Sequence, residues 1–217
     1  MPLRVWRAAP RRALGEIATL GDMVPSIAET PLAEYSIASF LTSLEAKTPT
    51  PGGGAVACMV GATAAAQAEM VVAYSLGKKN LAEHQTMFAT VQAELARARL
   101  MLLELADEDG RAYAIVNAMM KLPEGDAGRA GLAAATEMAA NVPLTAMAIC
   151  VELHKLCAKL RGKSNANLVS DLDIAEKLAA AAAWCAGRNV EINLPGLAEP
   201  AKGRIEGEYR VLMGKIG

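Results

Sequence analysis

A carboxylate on an apolar helix face and a run of glycines at a helix start are the features of this sequence best suited to chemistry. Asp109 falls four residues after Leu105 and three before Ala112. It is therefore in phase with a stripe of Val91, Leu95, Ala98, Leu102, Leu105, Ala112, Val116 and Met119. Burying a charge is costly unless the charge is paired or has a task. A buried carboxyl has a perturbed pKa and suits general acid or base work. The structural alternative is an ion pair with Arg111 or Lys121. Asp107 and Glu108 lie out of phase and are expected in solvent.

The glycine run is Pro49-Thr50-Pro51-Gly52-Gly53-Gly54. Glycines opening a helix allow close backbone approach and leave amide N–H groups free for an anion or a developing negative charge. Pro51, Gly52, Gly53 and Gly54 are thus candidate substrate-binding residues. An alternative is that Ala55, Ala57 and Ala62 simply need room for a tight helix crossing. The run is not a P-loop, because no Gly-Lys-Ser/Thr follows at the required spacing.

Weaker candidates lie further on. Ser170 and Asp171 begin a helix, with Asp171 in phase with Ala175, Leu178, Ala182 and Cys185. First-turn acids also serve the helix dipole, and Ser170 with Asp173 resembles a capping arrangement. Cys150, His154 and Cys157 share a helix face, but no fourth ligand is apparent and structural zinc sites rarely sit on one helix. No metal is expected. Lys78, Lys79, Lys155, Lys159, Arg161 and Lys163 mark mostly solvated helix ends, and His84 sits alone in a polar turn.

These residues need helices to position them. Of 217 residues, 53% are hydrophobic but only 4% aromatic, and 45 are Ala. Ala has the highest helix propensity, and β-branched or aromatic runs that a sheet would want are scarce. The class is all-α, a single bundle of about six helices with one long central helix. The spacing predicts helices over residues 32–46, 55–76, 82–121, 127–160 (kinked or divided at Pro143), 170–188 and 202–213. Ile37, Phe40, Leu41 and Leu44 share one face of the first. Residues 1–32, with four Arg and four Pro, read as a poorly ordered extension, and residues 33–217 as the helical domain. A mitochondrial transit peptide would be Arg-rich in this way but also Ser-rich, which this segment is not.

A formal net charge of -1 supplies no field for nucleic acid or an anionic membrane. Residues 55–76 are the best candidate for a membrane span, but Gln67 and Glu69 interrupt them, and a buried helix is expected instead. Four scattered Cys with no secretory pattern predict reduced, packed thiols and a cytoplasmic protein.

The sequence from Pro49 to Ala57 resembles the Pro-x-Pro-Gly-Gly-Gly-Ser-Val motif of the formiminotetrahydrofolate cyclodeaminase and methenyltetrahydrofolate cyclohydrolase family. Gly77-Lys78-Lys79, Asp109-Gly110-Arg111-Ala112-Tyr113, Lys121-Leu122-Pro123, Asn165 with Ser170-Asp171, and Asn189 to Leu194 extend the pattern in order. The resemblance covers roughly 34–215. Ala55 stands where the family commonly has Ser, and Glu124 where it often has Lys.

The resemblance implies a helical homodimer that binds a tetrahydrofolate derivative as substrate, with no bound cofactor. Asp109 is the implied proton-moving carboxylate. Asp171 and Asn165 would orient the pterin or a water, with Ser170 beside them, and Lys79 would serve the tail or a proton transfer. The chain is too short for an additional formiminotransferase domain, which favours hydrolysis of 5,10-methenyltetrahydrofolate to 10-formyltetrahydrofolate. The alternative is cyclodeamination of 5-formiminotetrahydrofolate with release of ammonia. A reading of another class is a non-catalytic dimerisation module, which predicts the glycine loop and Asp109 far apart or exposed.

Overall fold

The computed structural model describes residues 30–216. The expected extension falls almost wholly on residues outside that range. Among the described residues there are six α-helices: α1 (Ile37–Glu45), α2 (Gly53–Ala73), α3 (Gln85–Met120), α4 (Leu132–Leu160), α5 (Val169–Asn193) and α6 (Ala201–Met213). No strand occurs among the described residues. In the ring α2–α3–α4–α5 each helix packs on the next, and α5 closes back on α2. α6 leans on α4 and α5.

The long side chains of the core come mainly from α3 and α4. Phe88, Leu95 and Leu102 on α3 and Met147, Ile149, Leu153 and Leu160 on α4 are fully buried. Each such residue contributes roughly 1.5–3 kcal/mol of hydrophobic stabilisation. α2 and α5 meet them with small residues, Ala64, Ala65 and Ala68 against Ala175, Ala179 and Ala182, all buried. Gly61 shows how closely α2 is gripped. A Cβ there would lie 2.7 Å from Cys150 Sγ, 3.0 Å from a Leu102 methyl and 3.6 Å from Ala182 Cβ. α2 therefore touches α4, α3 and α5 at one level, and its alanines set the helix spacing.

Several expectations change. The first helix is shorter than expected: Leu32–Glu34 is a 3-10 turn, and α1 starts after Ser36, whose hydroxyl caps Ser39 N–H. Only Phe40 of its expected apolar face is buried; Ile37 and Leu41 are 81% and 54% exposed because α1 lies at the bundle edge. α4 is continuous through Pro143. Proline removes the N–H that would bond Ala139 O, and Asn193 Nδ2 of α5 donates to that carbonyl instead at 3.3 Å. α5 runs five residues past the expected end, with Asn189 and Asn193 side chains bonding back to the carbonyls of Cys185 and Asn189. Ser170 does not cap α5; it lies one residue inside, and Asp173 pairs with Arg161.

α2 and the segment Ala127–Leu160 are both long and apolar enough to cross a membrane, but 56% of each apolar window is buried inside the bundle. Their hydrophobicity is accounted for by packing in the ring.

Candidate active site

The stop after α1 and the start of α2 bring the glycine run over α3. The Thr50–Pro51 peptide is cis, Gly52 is the N-cap of α2 with no side-chain cap, and Gly53 and Gly54 form the first turn. First-turn N–H groups have no partner inside their own helix. Gly54 lies directly on Asp109: a Cβ at position 54 would overlap the Asp109 carboxylate. Glycine is required here by close approach rather than by an unusual backbone angle. Gly53 instead faces Asn189 of α5, with a Cβ position 3.4 Å from its Oδ1.

Asp109 is half-buried, as its phase on the α3 stripe demands. Neither Arg111 nor Lys121 pairs with it, and no cation does so among the described residues. Burial pushes its carboxyl up to about 6. At neutral pH the group is therefore still mostly ionised, yet it is a much stronger base than a solvated aspartate. The neighbouring thiol of Cys58 is pushed to about 12 by burial first and by Asp109 and Glu108 next, so it is protonated and inert.

A cavity of about 250 Å³ opens over this carboxylate. Thr50, Pro51, Gly52, Ala55, Asp109 and Arg111 line it, together with Asp107 and, from the chain ahead of α1, Thr30, Leu32 and Tyr35. Asp107, expected in solvent, accepts a hydrogen bond from Leu32 N–H at 3.0 Å. The sequence carries no signal for that contact, because its partners are 75 residues apart. An adjoining groove of about 720 Å³ runs between Gly53 and α5, lined by Val56, Trp184, Arg188 and Asn189 among others.

The remaining candidates gather at the other end of α2. Asp171 accepts from Gln67 Nε2 at 2.8 Å. Asn165 N–H donates to Ser75 Oγ at 2.9 Å, and its amide reaches Tyr74 O at 3.4 Å while capping Asn167 N–H at 3.2 Å. Ser170 and Lys79 are exposed nearby in sequence, Lys79 in the turn that follows α2. Gln67 is thirteen residues beyond Gly54 on a continuous helix, about 20 Å at 1.5 Å per residue. Within the chain the structure therefore joins Asp109 to the glycine run but not to Asp171, Asn165, Ser170 or Lys79. Cys150 and Cys157 are buried in the core, and His154 Nδ1 faces Glu176 O at 3.4 Å.

Comparison with known proteins places the whole arrangement. Residues 36–205 match the model of the Formiminotransferase-cyclodeaminase family. The methenyltetrahydrofolate cyclohydrolase of Methylorubrum extorquens is 33% identical over 171 residues, covering 76% of this chain and 82% of that protein. The formimidoyltransferase-cyclodeaminase of Rattus norvegicus is 29% identical over 176 residues, 79% of this chain but 32% of that longer protein. Formiminotetrahydrofolate cyclodeaminase from Thermotoga maritima has a crystal structure that superposes with a TM-score of 0.73 at 29% identity, over 85% of this chain and 94% of that one.

Proposed function

Because this chain belongs to the formiminotransferase-cyclodeaminase family, we propose that it hydrolyses 5,10-methenyltetrahydrofolate to 10-formyltetrahydrofolate, with Asp109 as the proton-moving carboxylate. The observation that carries this reading is a half-buried carboxylate without a cation partner among the described residues, seated on Gly54 inside a cavity. A delocalised cation such as the methenyl bridge is the kind of ligand that relieves such a charge. The cyclohydrolase of Methylorubrum extorquens, spanned over most of its length, favours hydrolysis over deamination.

The chemistry follows from that geometry. Water adds to the methenyl carbon between N5 and N10, and Asp109 accepts one of its protons. The neutral tetrahedral carbon then collapses: the C–N5 bond breaks, N5 takes the hydroxyl proton, and the formyl group stays on N10. Asp109 returns its proton to solvent, which balances the loss of the substrate's positive charge. Water and one carboxylate supply every bond and proton, so we assign no bound cofactor and treat the folate as substrate only. The free N–H groups at the start of α2 would face the developing oxygen.

A role for Asp171, Asn165, Ser170 or Lys79 at the same reacting carbon requires a second copy of the chain, given the span of α2. A homodimer is accordingly part of this reading, and the exposed Ile37 and Leu41 of α1 are consistent with it. Four free cysteines suit the cytoplasm, where we place the enzyme. The non-catalytic module fares worse, since buried Gly54 lies directly on half-buried Asp109 rather than far from it. The test is loss of the methenyl absorbance band with purified protein against a blank. Acceleration by wild type and not by Asp109→Asn supports the assignment. Ammonia release from 5-formiminotetrahydrofolate, without such acceleration, would move it to the deaminase.

A further inference from the structure

The wall of the Asp109 cavity includes a short strap, residues 30–35, that precedes α1. Its middle is a single 3-10 turn, Leu32–Glu34, and Tyr35 follows with its N–H bonded to Leu32 O at 3.1 Å. The position of Tyr35 thus follows that of Leu32. Leu32 N–H in turn donates to Asp107 Oδ1 of α3 at 3.0 Å, the one hydrogen bond joining strap to bundle among the described residues. α1, the next element, gives the strap little support, since Phe40 is its one buried side chain. Leu32 and Tyr35 also rest against the edge of the core. Thr30, Leu32, Tyr35, Asp107 and Asp109 all line the same cavity.

We propose that Tyr35 is a substrate-contacting residue of the Asp109 cavity, and that Asp107 positions it by tethering the strap to α3. Tyr35, an aromatic residue with an electron-rich ring, and the unpaired carboxylate of Asp109 line one cavity. That combination recognises a flat, cationic heteroaromatic system, held by stacking and cation–π attraction on one side and by charge on the other. Asp107 and Asp109 are two residues apart and leave α3 in different directions. Asp107 serves the wall and Asp109 the reaction. This assignment rests on the folate reading above and deepens it.

The test compares the purified wild type with Asp107→Ala, Asp107→Asn, Tyr35→Ala and Tyr35→Phe, using 5,10-methenyltetrahydrofolate across pH 5–8. Asn keeps an oxygen that can accept the Leu32 N–H, and Phe keeps the ring. The two Ala variants are expected to raise KM roughly tenfold, with kcat within about threefold and the pH midpoint unmoved. Asp107→Asn and Tyr35→Phe are expected to restore KM. Amide exchange at Leu32 should be fast in Asp107→Ala and slow in Asp107→Asn. KM unchanged in both Ala variants, or a lower melting temperature with KM unmoved, would overturn the proposal. So would a fall in kcat with a shifted pH midpoint in Asp107→Ala, since that residue would then move protons itself. A wild type silent on both folates would instead overturn the catalytic reading, and this proposal with it.

Discussion

The two ends of α2 hold polar residues under opposite terms. At its C-terminal end the sheltered polar groups have partners: Asp171 has Gln67, and Asn165 has Ser75, Tyr74 and Asn167. At its N-terminal end Asp109 is half-buried beside Gly54 with no cation among the described residues, and its carboxyl is pushed up to about 6. A satisfied polar group adds to stability, whereas an unsatisfied carboxylate detracts from it. The first end fixes the joint between α2, α5 and the turn that precedes α5. The second holds a charge ready for a ligand.

Substitutions should separate the two ends. Asp109→Asn is expected to lower kcat on methenyltetrahydrofolate by at least about 100-fold, the usual scale for losing a general acid–base group. Circular dichroism and the melting temperature would stay at wild-type values or rise, and activity above a tenth of wild type would remove the contrast. Gly54→Ala comes next: the new methyl displaces the Asp109 carboxylate, and kcat should fall about 10- to 100-fold in the same assay.

The pH dependence sharpens the comparison further. For activity, the ionised form of Asp109 is the base, so the enzyme-dependent rate should rise through about pH 6 and level off above it. Stability goes the other way. The folded state holds the Asp109 proton to about pH 6, while the unfolded chain releases it near 3.8. Between those values the folded state binds more protons, so stability falls as pH rises and is constant above the window. The loss is on the order of 2 kcal/mol for this half-buried group. Urea titrations of wild type against Asp109→Asn at pH 4, 5, 6 and 7 would measure it, and parallel curves would contradict it.

At the satisfied end the expected change is in stability. Asn165→Ala removes a cap and an amide bond to Tyr74 O, costing about 1–2 kcal/mol in urea unfolding. A loss of kcat as large as that of Asp109→Asn, with stability intact, would mean that this end belongs to the reaction after all. The smallest effect is for Asn193→Ala, about 1 kcal/mol, from the bond to Ala139 O.

Much of this was legible in the sequence wherever it depended on local periodicity. The α3 stripe runs for about eight turns, so the burial of Val91, Leu95, Ala98, Leu102, Leu105, Ala112 and Met119 and the inward phase of Asp109 could be read directly. Val116 of the same stripe is only partly buried. The helix expected over residues 55–76 instead spans Gly53–Ala73 with Tyr74 as its C-cap, and Gly77, at φ +73°, belongs to the turn beyond it. What escaped was set by distant partners. Asp107 looked solvated because Leu32 lies 75 residues away. Asp171 owes its expected role to the family resemblance, and its hydrogen-bond partner Gln67, 104 residues distant, left no local signal. The helix expected to end at residue 188 runs on to Asn193, because the Asn189 and Asn193 amides bond back into it.

The bond from Asn193 to Ala139 makes the order of mutations matter. Replacing Pro143 first by alanine returns a backbone N–H to Ala139 O, and the Asn193 amide becomes dispensable. Replacing Asn193 first strands that carbonyl in a partly buried position while Pro143 still withholds its natural donor. A lineage can therefore shed the pair cheaply in one sequence of steps and only at a loss in the other. Residues 50 positions apart on two different helices are in this sense a single heritable unit.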